Sequence, residues 1–225
     1  MTRKMKPYWI YDEDFFRTHN ENGTSVYDVL LAELTPYLKQ GTVKVVGQDF
    51  TERRLTCYFT STDTQMTYSG RVLEVIRPPP NSYISNLLSV VNSQEFRKLL
   101  VDRYQTNSLN VEFNSVFINW YRPPSITDKP DYLGPHSDDE KYLTSQVILS
   151  VTYCEKLGAR VFRFHDRSQG NKIKEEFELQ DGSLLLMLEG CQKLYKHSVS
   201  ERKYNLNKQL ITGGRLNLTF RCVKV

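Results

Sequence analysis

Four histidines, at positions 19, 136, 165 and 197, are all that this 225-residue chain offers for a site built from imidazoles. His136 stands in Gly134-Pro135-His136-Ser137-Asp138-Asp139-Glu140. In an extended segment residues i and i+2 point to one side, so His136 and Asp138 can grip one ion. The same composition after Gly-Pro also suits a solvated turn. A third ligand is available in Leu194-Tyr195-Lys196-His197-Ser198-Val199, where His197 could approach from a later strand, although among Lys196, Ser198 and Ser200 it could equally be a surface imidazole. Two imidazoles and a carboxylate on one face suit non-haem Fe(II), because the opposite coordination positions stay open for a chelating co-substrate and dioxygen.

The stretch Arg215-Leu216-Asn217-Leu218-Thr219-Phe220-Arg221 alternates strictly between polar and apolar residues, so Arg215, Asn217, Thr219 and Arg221 share one face of a strand. On an ordinary sandwich that face meets solvent. If it lines a barrel, the two guanidiniums need anionic partners, since a buried unpaired charge is very costly. A dicarboxylate supplies them, and the arginine fork binds carboxylate through two parallel hydrogen bonds. Val116-Phe117-Ile118-Asn119-Trp120-Tyr121 alternates likewise, which puts Asn119 and Tyr121 on one side, either to complete a carboxylate site or to pack at a rim.

The elements that must hold these residues follow from periodicity. Tyr27, Val29, Leu30, Leu31, Leu34, Tyr37 and Leu38 recur at helical gaps, with Thr24 or Ser25 as N-cap. A second helix is predicted from about Ser82 to Tyr104, after the breaker Pro78-Pro79-Pro80. From residue 110 onward the spacing predicts seven short strands: Val116 to Tyr121, Gln146 to Cys154, Arg160 to His165, Glu176 to Leu179, Ser183 to Leu188, Leu194 to Val199 and Arg215 to Val223. Pro123, Pro124, Pro130 and Pro135 punctuate a loop expected to form a rim or lid. The expected architecture is mainly β with N-terminal helices (α+β), a sandwich or jelly roll in one domain spanning residues 1–225.

Lys plus Arg number 30 against 26 Asp plus Glu, a net charge of +4, and 39% hydrophobic residues exclude a mainly disordered chain. The longest apolar stretch, Leu184 to Leu188, is far short of the ~20 residues a membrane helix requires. Basic Arg3, Lys4 and Lys6 are followed by Asp12-Glu13-Asp14 rather than by a secretory apolar region, so an intracellular protein without membrane attachment is expected. Cys57, Cys154, Cys191 and Cys222 form no CxxC pair and read as reduced structural thiols.

Several ordered motifs together resemble the AlkB family of Fe(II) and 2-oxoglutarate dioxygenases. They are Asn119-x-Tyr121, His136-x-Asp138, Gly158-Ala159-Arg160 leading into Phe162, Asp181-Gly182-Ser183-Leu184-Leu185-Leu186-Met187, His197-Ser198 and Arg215-x-Asn217-x-Thr219-Phe220-Arg221. Upstream, Arg54-Leu55-Thr56-Cys57-Tyr58 and Thr67-Tyr68-Ser69-Gly70 resemble the family's nucleotide-recognition region. The resemblance implies a double-stranded β-helix with residues 111–225 as catalytic core, and His136, Asp138 and His197 holding iron. It implies further that Arg215 and Tyr121 bind the far carboxylate of 2-oxoglutarate, that Arg221 and Asn119 contact its chelating end, and that Asn217 shares their face. Arg54, Tyr58 and Tyr68 would contact substrate, with Glu140 facing the base. The chain departs from the family at Arg53, where a proline is common, at Phe59 in place of glycine, at Pro135, and in the length of the segment from Lys203 to Gly214.

The expected partner is alkylated DNA or RNA, single-stranded or with the base flipped out, acted on by a monomer with Fe(II), 2-oxoglutarate and O2. Tyr58 and Tyr68 are candidate stacking platforms, or else strand aromatics packed on the helices. Residues 187 to 225 hold eight Lys plus Arg against two Glu; two of the eight are the inward Arg215 and Arg221, which leaves a modest patch around Lys193, Lys196, Arg202, Lys203 and Lys208 for phosphates or simply for water. Two other readings stay open: a dioxygenase acting on a protein or small molecule, and a non-catalytic jelly-roll binding module.

Overall fold

Strict alternation in the second half of the chain and helical spacing in the first meet on a single layer of sheet. A computed structural model describes residues 3–45, 47–68, 71–105, 111–127 and 129–225. Ser69 and Gly70, at the end of the upstream motif, lie outside them. The first half contains β1 (Arg3–Lys6), β2 (Trp9–Asp12), α1 (Val26–Leu34), β3 (Lys39–Val45), β4 (Gln48–Thr60), β5 (Thr67–Tyr68), β6 (Arg71–Val72), α2 (Tyr83–Asn92) and α3 (Gln94–Tyr104). The second contains β7 (Ser115–Tyr121), β8 (Leu133–His136), β9 (Ile148–Cys154), β10 (Arg160–Asp166), β11 (Lys172–Leu179), β12 (Leu184–Met187), α4 (Cys191–Leu194), β13 (Tyr195–Val199) and β14 (Arg215–Arg221).

The major sheet runs β1-β2-β12-β9-β14-β7-β4-β3, and the minor sheet β11-β10-β13-β8. Mostly antiparallel strands in two sheets with few helices make a jelly roll. Because side chains alternate along each strand, the major sheet has two inner worlds. Leu216, Leu218 and Phe220 of β14 and Leu149 and Val151 of β9 pack on Leu30, Leu34, Leu87, Val91, Phe96 and Leu100 of the helices. The opposite face contributes Trp9, Tyr11, Tyr121, Ile148, Leu185 and Met187, which meet Phe162, Phe164, Phe177 and Val199 of the minor sheet. All seven residues of β14 are buried, so its polar face looks into the jelly roll and not into solvent.

Leu218 sits at the middle of β14, between β7 and β9, with no exposed surface. Leu218→Ala is expected to cost about 2–5 kcal/mol through lost transfer energy and the cavity left behind, seen as a lower urea midpoint with an unchanged slope.

Three expectations are corrected. Ser25 caps α1 as predicted, accepting from the Asp28 N–H, but the helix expected from Ser82 to Tyr104 is two helices. Ser93 is extended at φ −67°, ψ 153°; its N–H closes α2 on the Val90 carbonyl and its hydroxyl accepts from the Phe96 N–H to start α3. Second, the N-terminal part is no purely helical preface, since β1 to β4 form both ends of the major sheet. Trp9-Ile10-Tyr11-Asp12 is buried on both faces, so no alternation betrays it as a strand; pairing with β12 decides it. Third, the proline-punctuated loop contains β8, which tolerates Pro135 because it is the edge of the minor sheet.

Two of the motifs prove to hold the frame. Gly182 has φ +73°, and a Cβ there would lie 2.5 Å from the Phe16 carbonyl, while Asp181 Oδ1 accepts from the Cys154 N–H at 2.8 Å. Arg160 donates to the carbonyls of Gly158 (2.7 Å), Gly213 (3.0 Å) and Arg122 (3.3 Å), tying three loops together. Phe59, at the family's glycine position, fills the helix-side core against Tyr37.

Candidate active site

Pairing of β13 with β8 sets His197 directly opposite His136, with ring centroids 4.2 Å apart. Asp138 follows two residues beyond the end of β8 and turns back on both rings. His136 Nε2 is 3.6 Å from Asp138 Oδ1, and His197 Nε2 is 3.7 Å from Oδ2. One ligand atom from each of the three lies within 4.8 Å of the others. His136 Nδ1 lies 2.9 Å from the Gly134 carbonyl and donates to it, so Nε2 keeps the lone pair that faces Asp138. Phe162 stacks on the His197 ring at 5.6 Å and 20°.

Electrostatics prepare the three as ligands. Burial, and then the neighbouring His136 imidazole, push His197 down to about 3, and burial lowers His136 as well. Both rings are therefore neutral near pH 7. Burial alone would raise Asp138, but the charge around it, that of Arg221 first, outweighs burial and holds the carboxyl well below the usual range. All three groups stand in the protonation state that a divalent cation requires.

The two predicted arginines both point inward. Arg215 is 0% exposed, lies 5.1 Å from the Tyr121 ring centroid, and donates from Nη2 to Thr152 Oγ1 (2.9 Å) and Asn217 Oδ1 (2.5 Å). Asn217 passes the network to Thr219 at 2.9 Å and accepts from Ser150 at 3.3 Å. Arg221, 3% exposed, donates from Nη2 to Asp138 Oδ2 at 2.9 Å. Burial pulls Arg221 down, but Asp138 and then Glu140 carry it above the ordinary arginine value; Arg215 is lowered by burial, with only phenol, thiol and similar weak groups against it. Arg215 is thus the guanidinium that lacks an anion.

Asp138 Oδ1, Arg215 Nε and Nη1, and Arg221 Nε and Nη1 are buried without a hydrogen-bond partner among the described residues. Each such group costs about 1–3 kcal/mol, and more when charged. A divalent cation held by the triad would satisfy Asp138 Oδ1 and the imidazole lone pairs, and a dicarboxylate would satisfy the free N–H groups of the two arginines. Two nitrogens and one oxygen on a face are the donor set of non-haem Fe(II), and the residues present fit the ion.

Of the remaining expected residues, Tyr121 lies opposite Arg215 and Asn119 opposite Asn217 across β7 and β14. Arg54 is buried, donating to Asn119 Oδ1 (2.6 Å) and Tyr68 Oη (2.9 Å) and ion-paired with Glu52 Oε1 (3.0 Å), so it joins the wall of the site while also lining its mouth with Tyr68. Tyr58, 1% exposed, packs with Met66, Leu73 and Phe117 and lines neither cavity at the triad, bordering instead a separate cavity with Tyr37 and Leu73. Glu140 lines neither cavity; burial raises its pKa against the pull of Arg221. Sequence reasoning missed Ser150 and Thr152, whose period-two spacing inside an apolar strand was the available signal, and Phe50 and Tyr132, which gave none.

Fold and site together define a class, a jelly-roll oxygenase working with non-haem iron and an acidic co-substrate. The chain belongs to the 2OG-Fe(II) oxygenase superfamily, whose family model matches residues 15–221. It is a 2-oxoglutarate-dependent oxygenase; its cofactors are Fe(II), 2-oxoglutarate and O2, and His136, Asp138 and His197 form its candidate iron site. An uncharacterized protein of Acanthamoeba polyphaga mimivirus is 27% identical over 196 residues, covering 87% of this chain and 86% of the relative. The solved structure of OsALKBH1 matches with a TM-score of 0.60 at 17% identity over 97% of this chain and 99% of that one, making the architecture AlkB-like. An oxidoreductase of the 2OG-Fe(II) oxygenase family from Burkholderia pseudomallei matches at 0.55 and 13% identity, over 95% and 84%. No helix among the described residues is long and apolar enough to cross a membrane.

Proposed function

We propose that this oxygenase is an oxidative demethylase of N-alkylated bases in nucleic acid, of the 1-methyladenine and 3-methylcytosine type. The observation that carries it is the mouth of the site: a cavity of about 620 Å³ that shares His136 with the triad and is lined by Phe50, Arg53, Arg54, Tyr68, Tyr132 and Pro135. Flat rings beside a metal ligand suit a flipped, electron-poor base, and the guanidiniums of Arg53 and Arg54 suit the phosphates on either side of it. Phe50 and Tyr132 stay 48% and 37% exposed.

His136, Asp138 and His197 would hold iron, which with 2-oxoglutarate and O2 supplies the oxidising power to hydroxylate an N-methyl carbon. Arg215, Tyr121 and Asn217 would bind the far carboxylate, and Arg221 with Asn119 would face the chelating end. The sum is 2-oxoglutarate, O2 and N–CH3 giving succinate, CO2 and N–CH2OH, which breaks its N–C bond to leave N–H and formaldehyde. No protein acid is required for that collapse, so these residues act by orienting reactants and excluding water.

Single-stranded DNA and RNA carrying 1-methyladenine or 3-methylcytosine should release formaldehyde only when 2-oxoglutarate is present. Robust 2-oxoglutarate turnover with no formaldehyde from any such oligonucleotide would point to a protein or small-molecule substrate and sink the proposal. Replacing Phe50 and Tyr132 together by alanine should raise the oligonucleotide KM about tenfold or more, given ~1–3 kcal/mol of stacking per base, with the 2-oxoglutarate KM unchanged. Binding should weaken as salt rises.

A further inference from the structure

β8 ends at His136, and residues 137–140 join no strand ladder, so the Asp138 N–H has no sheet partner. A side chain from α4 takes it instead. Gln192, 1% exposed, accepts from the Asp138 N–H through Oε1 at 3.0 Å. Its Nε2 lies 3.3 Å from the Met187 sulfur at the end of β12. That contact and the need for an acceptor at Asp138 agree on which way the amide faces, since a carboxamide nitrogen cannot accept. Arg167 braces the same junction, donating from Nη1 to the Gln192 carbonyl at 2.9 Å and to Ser137 Oγ at 3.0 Å. An irregular segment carrying a metal ligand is thereby tied down at two consecutive residues by groups that touch no ligand atom.

We propose that Gln192 is a positioning residue for the iron site: by holding the Asp138 backbone it keeps the carboxylate turned toward both imidazoles and so sets metal affinity. The inference rests on the reading of His136, Asp138 and His197 as the ligands. Partners that orient a ligand without touching the metal typically change affinity by about 10–100-fold when removed.

The test is Co(II) titration of the full chain, followed by calorimetry and by the visible d–d bands. Gln192→Met keeps length and bulk but offers no oxygen acceptor. It is expected to weaken Co(II) binding about 10–100-fold and to alter the d–d bands, while the thermal midpoint of the metal-free protein falls by no more than about 10 °C, the cost of one unpaired buried N–H. Gln192→Glu retains an acceptor oxygen of the same reach and should bind close to wild-type affinity with the wild-type spectrum. Wild-type affinity in Gln192→Met, or equal losses in both variants, overturns the proposal. If Gln192→Met does not fold, hydrogen exchange decides: the Asp138 amide should be protected in the wild type and in Gln192→Glu, and exchange as fast as at Ser137 and Asp139 overturns it. A wild-type chain that takes up no Co(II) removes the ligand assignment itself, whereas wild-type uptake with an indifferent Gln192→Met removes the Gln192 role alone.

Discussion

Replacing His197 with alanine should lower turnover by about three orders of magnitude, the equivalent of about 4 kcal/mol of barrier, because metal chemistry contributes several kcal/mol and needs its full ligand set. Succinate formation and bound iron per chain are the two measurements. His197 is the ligand to remove because Asp138 then keeps its pairing with Arg221, whereas loss of Asp138 would strand that guanidinium in the interior. Near-normal succinate formation in His197→Ala would end the assignment of this imidazole. The same variant carries a pH signature. The His197 ring protonates near 6.5 in an unfolded chain and at about 3 in the folded one. Between those values the unfolded state binds the extra proton, so stability of the metal-free protein rises with pH across that window and falls on acidification. His197→Ala should flatten this part of the slope in a urea-midpoint series.

Arg215→Met should raise the KM for 2-oxoglutarate about a hundredfold or more, since hydrogen bonds to charged groups contribute ~1.5–3 kcal/mol each. Methionine comes near the volume of the side chain, ends about two atoms shorter, and removes its charge. Stability should move the other way. In the ligand-free protein Arg215 is a wholly buried cation whose Nε and Nη1 have no hydrogen-bond partner among the described residues. Exchanging a buried charge for an apolar residue of similar volume is often neutral or stabilising, so ligand-free Arg215→Met should melt no lower than the wild type. Adding 2-oxoglutarate at a hundred times its Kd should stabilise the wild type by about 2.7 kcal/mol, roughly 5–10 °C for a chain of this size. That increment should vanish in the variant. A low melting point without ligand, together with an unchanged 2-oxoglutarate KM, would mean that Arg215 only packs the jelly roll.

Much of this site was legible one residue at a time. Scarcity of histidine made His136 and His197 the natural pair, and Asp138 does converge with them, although from an irregular segment beyond β8 and not from an extended strand. The alternation of β14 was equally plain. What it could not tell is which face meets water: a polar stripe looks the same on a solvated strand and on one lining a cavity. The answer depends on the helices covering Leu216, Leu218 and Phe220, and on the minor sheet closing over the other side. Tyr58 shows the same limit in reverse, an aromatic of suitable type that tertiary packing places against Met66, Leu73 and Phe117 and away from the triad's two cavities.

Amino-acid order alone determined which residues could serve as ligands, the inward-capable arginines, a helix cap at Thr24 or Ser25 and the strands with clear period two, because each depends on chemistry within a few residues. Only the tertiary structure decided that Trp9–Asp12 is a strand, that Ser93 splits a helix pair, that Phe50 and Tyr132 frame the mouth, and that Gln192 holds Asp138 from 54 residues away. Those outcomes are set by partners brought together through sheet pairing and burial, and such partners leave no local trace in the chain.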